Sequence, residues 1–208
     1  MVTFNFLFFL KNVACFLSVS LEAEVNDDLL AARLRLAGAI FIGHTNMPEF
    51  GLGSNTFNSV FGTTSNPYDL TKSAGGSSGG AAVALATDML PLADGSDMGG
   101  SLRNPASFCN VVGFRPSIGR MPKGLGAAWY GRLSTTGPMA KTVKDTAFFM
   151  SIISGEDYTD PLTLTQSGNE FLEAFTPYKI LKDRPLKIAV SPSLGDLPVD
   201  NQVLNIIK

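Results

Sequence analysis

The sequence predicts a layered α/β fold for a chain of 208 residues. Two observations support this fold class. Short apolar runs bounded by turn residues indicate strands, and they alternate along the chain with segments whose apolar residues recur at helical spacing. The composition agrees, because an apolar content of 45 % at this length is enough to bury a core.

The N-terminal third contains one predicted helix and one predicted strand. Acidic and amide residues at positions 26–28 suit a helix cap, apolar residues follow at helical spacing, and Gly38 is a stop signal. Residues 39–42 (AIFI) then predict a short buried strand. The stretch 51–69 is rich in turn residues, which predicts loops rather than long elements.

Two more helices are predicted in the middle of the chain. Residues 81–89 indicate a helix that begins directly after a loop rich in glycine and serine, where the helix dipole favours negative charge. Residues 143–153 indicate another, with Thr142 as its N-cap and Gly155 just past its end.

The last 25 residues give a further strand and helix. Residues 186–190 (LKIAV) predict a buried strand. A helix start is predicted at Asp200 and Asn201, followed by residues that form an apolar face, and the sequence stops at Lys208 before any helix stop signal.

Charge and cysteine content exclude several classes of function. The net charge of −2 gives no basic surface for nucleic acid. Two cysteines, Cys15 and Cys109, are too few for a disulfide framework or a thiolate metal site, which favours a reducing, cytoplasmic location. The apolar N-terminus has no basic residue before Lys11, so we expect neither a secretory signal nor a membrane span.

Two serine motifs flanked by glycine are the main functional signal. They occupy residues 75–80 (GGSSGG) and 97–103 (DMGGSLR). Glycine destabilises regular structure, so glycines clustered beside hydroxyl groups indicate a backbone that must approach a ligand closely. The pattern predicts an oxyanion site, in which peptide N–H groups around a serine stabilise charge during acyl transfer.

Other glycine-rich motifs fit less well. A phosphate-binding P-loop needs Gly-Lys-Ser/Thr, and no lysine follows Gly80. The glycine spacing is wrong for a dinucleotide loop. A nucleophile elbow has the pattern Gly-x-Ser-x-Gly. Residues 76–79 fit this pattern only if its register is shifted, and residues 99–103 lack the second glycine. A flexible linker would have polar flanks, whereas residues 81–86 are apolar.

Residues 75–122 resemble the signature of the amidase signature family of serine hydrolases. The likeness continues upstream through residues 34–50 and 66–69, and downstream through residues 134–140. This resemblance implies a mixed central β-sheet covered by helices on both faces, and a Ser–cis-Ser–Lys triad. The nucleophile then falls on Ser101 and the cis-serine on Ser77, 24 positions earlier.

The resemblance implies a role for each residue around these serines. Ser77 would relay the proton of Ser101 to a neutral lysine, because a serine hydroxyl is a weak nucleophile until a base removes its proton. The oxyanion hole would be formed by the N–H groups of Met98, Gly99, Gly100 and Ser101. Further polar residues support the loops, namely Ser78, Asp97 and Arg103.

Two of these supporting residues have alternative interpretations. Asp97 could have a simpler role, as a cap of the turn before Gly99. Arg103 could form a surface ion pair, although its place between glycine-rich and Asn-Pro turns favours a brace on backbone carbonyls.

The base lysine departs from the family pattern. Lys11 is the only lysine upstream of Gly38; asparagine rather than aspartate follows it, and it precedes Gly38 by only 27 positions. We therefore expect the base lysine to be absent from this chain. Residues 1–21 are predicted to be a divergent or misassigned segment, and residues 22–208 the N-terminal part of a single amidase domain. Expressed alone, residues 1–208 are expected to be poorly soluble and to show no turnover.

The predicted function is hydrolysis of a carboxylic amide through an acyl-enzyme on Ser101, releasing ammonia or an amine. One alternative is the glutaminase subunit of a tRNA-dependent amidotransferase, which usually has Thr at the position of Met98 and Gln at the position of Asn104. The other is a catalytically inactive fragment that lacks the base lysine. His44, the only histidine, is interpreted as a polar residue at a strand end. We expect no metal or organic cofactor. The expected partner is a small-molecule amide. A homodimer is compatible with the sequence, and neither nucleic acid nor a membrane is expected as a partner.

Overall fold

The computed structural model describes residues 6–9, 27–123, 133–173 and 187–207, with residues 6–9 described by their backbone alone. Lys11 lies outside these ranges. The chain divides into two compact units, Met1–Phe175 and Thr176–Lys208. Both candidate serines belong to the first unit.

The first unit begins with a parallel strand pair and a helix. Strand β1 (Phe6–Phe9) pairs with β2 (Ala39–Gly43). Helix α1 (Leu29–Leu36) precedes β2, and the Asp28 carboxylate caps it by accepting the N–H of Ala31 at 2.8 Å. The predicted helix start, which rests on a capping residue before an apolar run, is therefore confirmed.

The prediction that residues 39–42 form a buried strand is only half right. The strand forms, but Ile40 and Ile42 are 43 % and 40 % exposed. Side chains of a strand alternate between its faces. Ala39 and Phe41 pack against a core cluster, whereas the isoleucines point to the opposite, exposed face.

The turn-rich segment contains short elements only. A 3₁₀ turn spans Glu49–Gly51, and β3 (Phe57–Asn58) pairs antiparallel with β4 (Gly62–Thr63). Helix α2 (Gly79–Ala86) follows; it starts two residues before the predicted range and ends three residues before its end.

A three-stranded antiparallel sheet supports the site. It contains β5 (Leu92–Asp97), β6 (Val112–Gly113) and β7 (Thr135–Ala140) in the order β5–β7–β6. Helix α3 (Arg103–Phe108) connects β5 to β6. Helices α4 (Val143–Ile153) and α5 (Glu170–Glu173) follow β7. The predicted cap of α4 is confirmed, because Thr142 Oγ1 accepts the N–H of Asp145 at 3.1 Å.

Helices cover both faces of this sheet. Ala93 and Met139 point to one face, where they pack with α2 and α3 residues. Leu92 and Ala140, their neighbours in sequence, point to the other face and pack with α1 and α4 residues, including the fully buried Phe149. Among the described strands, the parallel pairing lies in the sheet β1–β2 and the antiparallel pairing in the other two sheets. The predicted α/β class, with helices on both faces of a sheet, is confirmed.

In the second unit, the described residues contain one helix, α6 (Asn201–Ile207), and Asp200 Oδ1 accepts the N–H of Gln202 beside its start. The predicted strand at residues 186–190 is wrong for the described part, residues 187–190. Ile188 and Val190 are 79 % and 68 % exposed, because no described strand pairs with them to create a buried face. None of the helices described here is long and apolar enough to cross a membrane.

Candidate active site

The loop that carries Ser77 depends on close backbone packing. The peptide bond between Gly76 and Ser77 is cis, the geometry that the resemblance implies for this serine. A Cβ atom on Gly76 would lie 2.9 Å from the backbone of Asn55, so only glycine fits there. Ser77 itself is 2 % exposed.

Thr56 holds this loop from inside the fold. Its side chain is 1 % exposed. The Oγ1 atom donates to the carbonyl of Gly75 at 2.9 Å and accepts the N–H of Gly79 at 3.1 Å. One hydroxyl group thus joins the chain before Ser77 to the first residue of α2.

Asp97 organises the second loop, which carries Ser101. Its carboxylate is fully buried and accepts backbone N–H groups from three residues, Gly100 at 2.8 Å, Leu102 at 3.2 Å and Arg103 at 3.4 Å. The Arg103 guanidinium forms a two-point ion pair with the same carboxylate, at 2.9 and 3.0 Å. Arg103 therefore pairs with Asp97 rather than with backbone carbonyls, which corrects the expected brace.

Arg115 adds a second guanidinium to Asp97. Its Nη1 atom donates to Asp97 Oδ1 at 2.7 Å and to the Asp97 carbonyl, and Nη2 donates to the carbonyl of Leu133 at 2.8 Å. Its side chain is 25 % exposed, against 55 % for Arg103. The better-buried arginine thus ties the Ser101 loop to the segment before β7.

The environment of Asp97 keeps its carboxylate ionised. Burial by itself would raise the pKa, but the hydrogen bonds from Arg103, Arg115 and the N–H groups of Gly100 and Leu102 outweigh it and hold the pKa well below the ordinary value. The side chain is therefore a permanent anion at neutral pH.

A backbone hydrogen bond connects the two loops directly. The N–H of Ser78 donates to the carbonyl of Ser101 at 3.2 Å. Ser78 Oγ also lies 3.4 Å from the N–H of Ser96 in β5. Ser78 is 3 % exposed and connects the Ser77 loop to Ser101 and to β5.

Ser77 and Ser101 line the same cavity, whose volume is about 340 Å³. One wall contains Asp94 and Ser96 of β5 and Met98, which directly follows the strand. These residues are two positions apart, so they share one side of the strand.

The rest of the cavity combines polar and apolar groups. Thr136 of β7 pairs with Ser96 across the sheet, and Ser134 lies just before the strand. The apolar lining includes Met47, Phe50 and Leu52. A small mixed cavity with two serines suits a compact polar molecule that has an apolar part.

The backbone donors near Ser101 are not equivalent. The N–H of Gly100 already donates to Asp97, so in this geometry it is not free to bind an oxyanion. Within the described part of the chain, the N–H groups of Met98, Gly99 and Ser101 have no acceptor. These three groups are the donors available to a ligand.

Three residues that contribute to this site were not identified from the sequence. Thr56, Arg115 and Lys123 lie outside both serine motifs, and Lys123 lines the cavity. Their contacts are distant in sequence, and no local spacing marks them. His44 was expected to be unimportant; it is exposed and does not line the cavity.

Comparison with known proteins identifies the family. A family profile described as Amidase matches residues 11–208. A glutamyl-tRNA(Gln) amidotransferase subunit from a Picosynechococcus species is 42 % identical over 182 residues, which cover 88 % of this chain and 37 % of that protein.

Two solved structures agree with the fold. A peptide amidase from Stenotrophomonas maltophilia superposes with a TM-score of 0.67 at 34 % identity, covering 78 % of this chain and 36 % of that one. A bacterial aryl acylamidase of the amidase signature family gives 0.66 at 37 % identity, covering 70 % and 30 %. The chain thus spans about a third of the length of these proteins. With the profile matching almost the whole chain, it belongs to the amidase family.

Proposed function

We propose that the protein is an amidase that hydrolyses a carboxylic amide through an acyl-enzyme on Ser101. The observation that supports this most directly is the shared cavity, because Ser77 and Ser101 line it together on two hydrogen-bonded loops. Nucleophilic catalysis needs a hydroxyl, a path for its proton and donors for the developing negative charge within one site.

Each step then falls to a residue of the described site. Ser101 Oγ attacks the carbonyl carbon of the amide while its proton passes to Ser77. The carbonyl oxygen becomes negative and accepts hydrogen bonds from the N–H groups of Met98, Gly99 and Ser101. Collapse of the intermediate expels ammonia or an amine, which takes up the proton, and water then hydrolyses the ester on Ser101.

The base that receives the proton from Ser77 is not assigned. Lys11 lies outside the described residues, although the family match begins at this residue. We keep the prediction that Lys11 is not the base. Its test is Lys11→Ala, which is expected to leave hydrolysis unchanged; a loss of about 10⁴-fold, the size that follows removal of a triad member, would make Lys11 the base.

The proposal is tested on a protein extended to the length of the relatives, here called the full-length protein, because residues 1–208 alone are expected to show no turnover. The reagents are a fluorophosphonate, which phosphonylates activated serines, and a panel of simple amides. Labelling at Ser101 together with amide hydrolysis is expected. Folded protein that shows neither labelling nor hydrolysis would favour the inactive alternative.

The glutaminase subunit of an amidotransferase is the second candidate. It is favoured by the Picosynechococcus relative, a glutamyl-tRNA(Gln) amidotransferase subunit that is more similar in sequence than the two amidases compared above. Against it stand Met98 and Asn104, where the glutaminase subunit usually has Thr and Gln. Glutamine-dependent release of ammonia, with no hydrolysis of other amides, would support this candidate.

Three further expectations remain proposals. Residues 1–21 are a divergent or misassigned segment and residues 22–208 the N-terminal part of a single amidase domain, and limited proteolysis tests this boundary. A homodimer is tested by analytical ultracentrifugation. A cytoplasmic location, inferred from the low cysteine content, is tested by fractionation.

A further inference from the structure

Lys123 brings a cationic side chain into the cavity that holds the two serines. It lies on the segment between β6 and β7, is exposed, and lines the cavity together with Ser77, Ser101 and Thr136. Its backbone is fixed, because its N–H donates to Asp160 Oδ2 at 2.8 Å. Asp160 is itself buried, with the other carboxylate oxygen accepting the N–H of Leu162.

The ammonium group of Lys123 has no direct partner within the described residues. The ion pairs found there do not include it, and its only hydrogen bond is made by its backbone. It makes no hydrogen bond to Ser77 or Ser101, so it does not occupy the position of a base. Partial burial lowers the pKa of Lys123, with Asp160 opposing this and Arg115 adding to it.

The other ionic groups of the cavity are already engaged. The Asp28 carboxylate caps α1 through the N–H of Ala31. Asp94 is buried and interacts with another group of the protein. Lys123 is therefore the charged group of the described cavity that is best able to meet a charge brought by a ligand, and an anion is its natural partner.

We propose that Lys123 is a specificity-determining residue that binds a carboxylate on the substrate, so that the cavity selects amides bearing an anionic group. This inference rests on the proposed amidase function. It adds a substrate class to that function: small aliphatic amides whose acyl part ends in a carboxylate. The apolar lining from Met47 and Leu52 then contacts the methylene groups between the two ends.

The test uses the full-length protein and three ligands of similar size: succinamate, which is anionic, butyramide, which is neutral, and β-alaninamide, which is cationic. Affinities are measured by calorimetry on Ser101→Ala, which binds the ligands without hydrolysing them, and by protection of Ser101 against a fluorophosphonate in the unmodified protein. We expect succinamate to bind about tenfold more tightly than butyramide, since one additional charge-assisted contact contributes about that factor. β-Alaninamide is expected to bind most weakly.

Variants separate charge from structure. Lys123→Gln should remove the preference for succinamate while leaving butyramide unchanged, and Lys123→Arg should retain it. Lys141→Gln is the matched control, because Lys141 pairs with Asp88 and does not line the cavity. Equal binding of succinamate and butyramide by the unmodified protein, or a preference that survives Lys123→Gln, would overturn the assignment.

Two other outcomes also count against it. Tightest binding of β-alaninamide would show that the acidic groups dominate the cavity. Loss of Ser101 labelling in Lys123→Gln with unchanged affinities would show that Lys123 acts on the nucleophile. These outcomes can be distinguished from failure of the proposed amidase function. That failure would appear as unlabelled Ser101 in the unmodified protein, whereas calorimetry would still report the ligand preference.

Discussion

Arg115 and Asp97 form the best-buried ion pair of the described site, with 2.7 Å between Nη1 and Oδ1. The same Nη1 atom also donates to the carbonyl of Asp97. Arg115 thus holds both the side chain and the main chain of the residue at which β5 ends and the Ser101 loop begins.

Loss of Arg115 should destabilise the protein more than loss of Arg103. Arg115→Gln removes a guanidinium from a buried carboxylate and from the carbonyls of Asp97, Met98 and Leu133, which should lower the free energy of unfolding by about 2–3 kcal/mol. Arg103→Gln removes a more exposed partner and should cost about 1 kcal/mol or less. Urea denaturation of both variants measures the difference; equal losses would contradict the ranking.

Acid should weaken the fold through Asp97. Its pKa is lower in the folded than in the unfolded protein, where the ordinary value is 3.8, so its stabilising effect is complete above about pH 4 and decreases as the pH falls further. The free energy of unfolding should therefore drop more steeply below pH 4 in the unmodified protein than in Asp97→Asn. If Asp97→Asn does not fold, Arg115→Gln serves instead. It removes a hydrogen-bond donor to the Asp97 carboxylate, so the free energy of unfolding should depend less steeply on pH. Parallel pH profiles would refute this.

The two serines should be distinguishable by labelling. In the full-length protein, Ser101→Ala should abolish fluorophosphonate labelling and acyl-enzyme formation, because it removes the nucleophile. Ser77→Ala should leave Ser101 in place but without its proton relay, so labelling becomes slow. Mass spectrometry locates the adduct. Ser59→Ala, in an exposed turn, is the control. An adduct on Ser77, or hydrolysis that survives Ser101→Ala, would refute the assignment.

His44 should be dispensable for the reaction. It is exposed and outside the cavity, so His44→Ala should change the hydrolysis rate by no more than a few-fold and stability only slightly. A loss near 10⁴-fold, the size that follows removal of a triad member, would indicate a Ser-His mechanism instead.

The hydroxyl of Thr56 should matter more than its methyl group. Thr56→Val keeps the shape of the side chain but leaves the Gly75 carbonyl and the Gly79 N–H without a buried partner, at a cost of about 1–3 kcal/mol. Thr56→Ser keeps the hydroxyl and should cost less. Thermal unfolding of both variants tests the order, and a more damaging Thr56→Ser would contradict it.

The features that were predictable from the sequence are local ones. Asp28 and Thr142 cap their helices because a capping side chain acts within three residues, and the glycine-flanked serines are visible as short motifs. Thr56 and Arg115 were missed because their partners lie 18 or more positions away. The strand predicted at residues 186–190 failed for a related reason: an apolar run does not reveal whether a neighbouring strand is there to pair with it.

The three charged side chains at the base of the Ser101 loop do not cancel one another. One carboxylate meets two guanidinium groups, which remain protonated at any physiological pH, so the group as a whole has one positive charge in excess. Part of this excess adjoins the loop that carries the backbone donors of Met98, Gly99 and Ser101, because Arg115 Nη1 also donates to the carbonyl of Met98 at 3.3 Å. A negative charge that forms on the substrate oxygen is therefore attracted by a fixed field as well as by the N–H groups it contacts. The arginines that keep Asp97 ionised would then also lower the energy of the transition state.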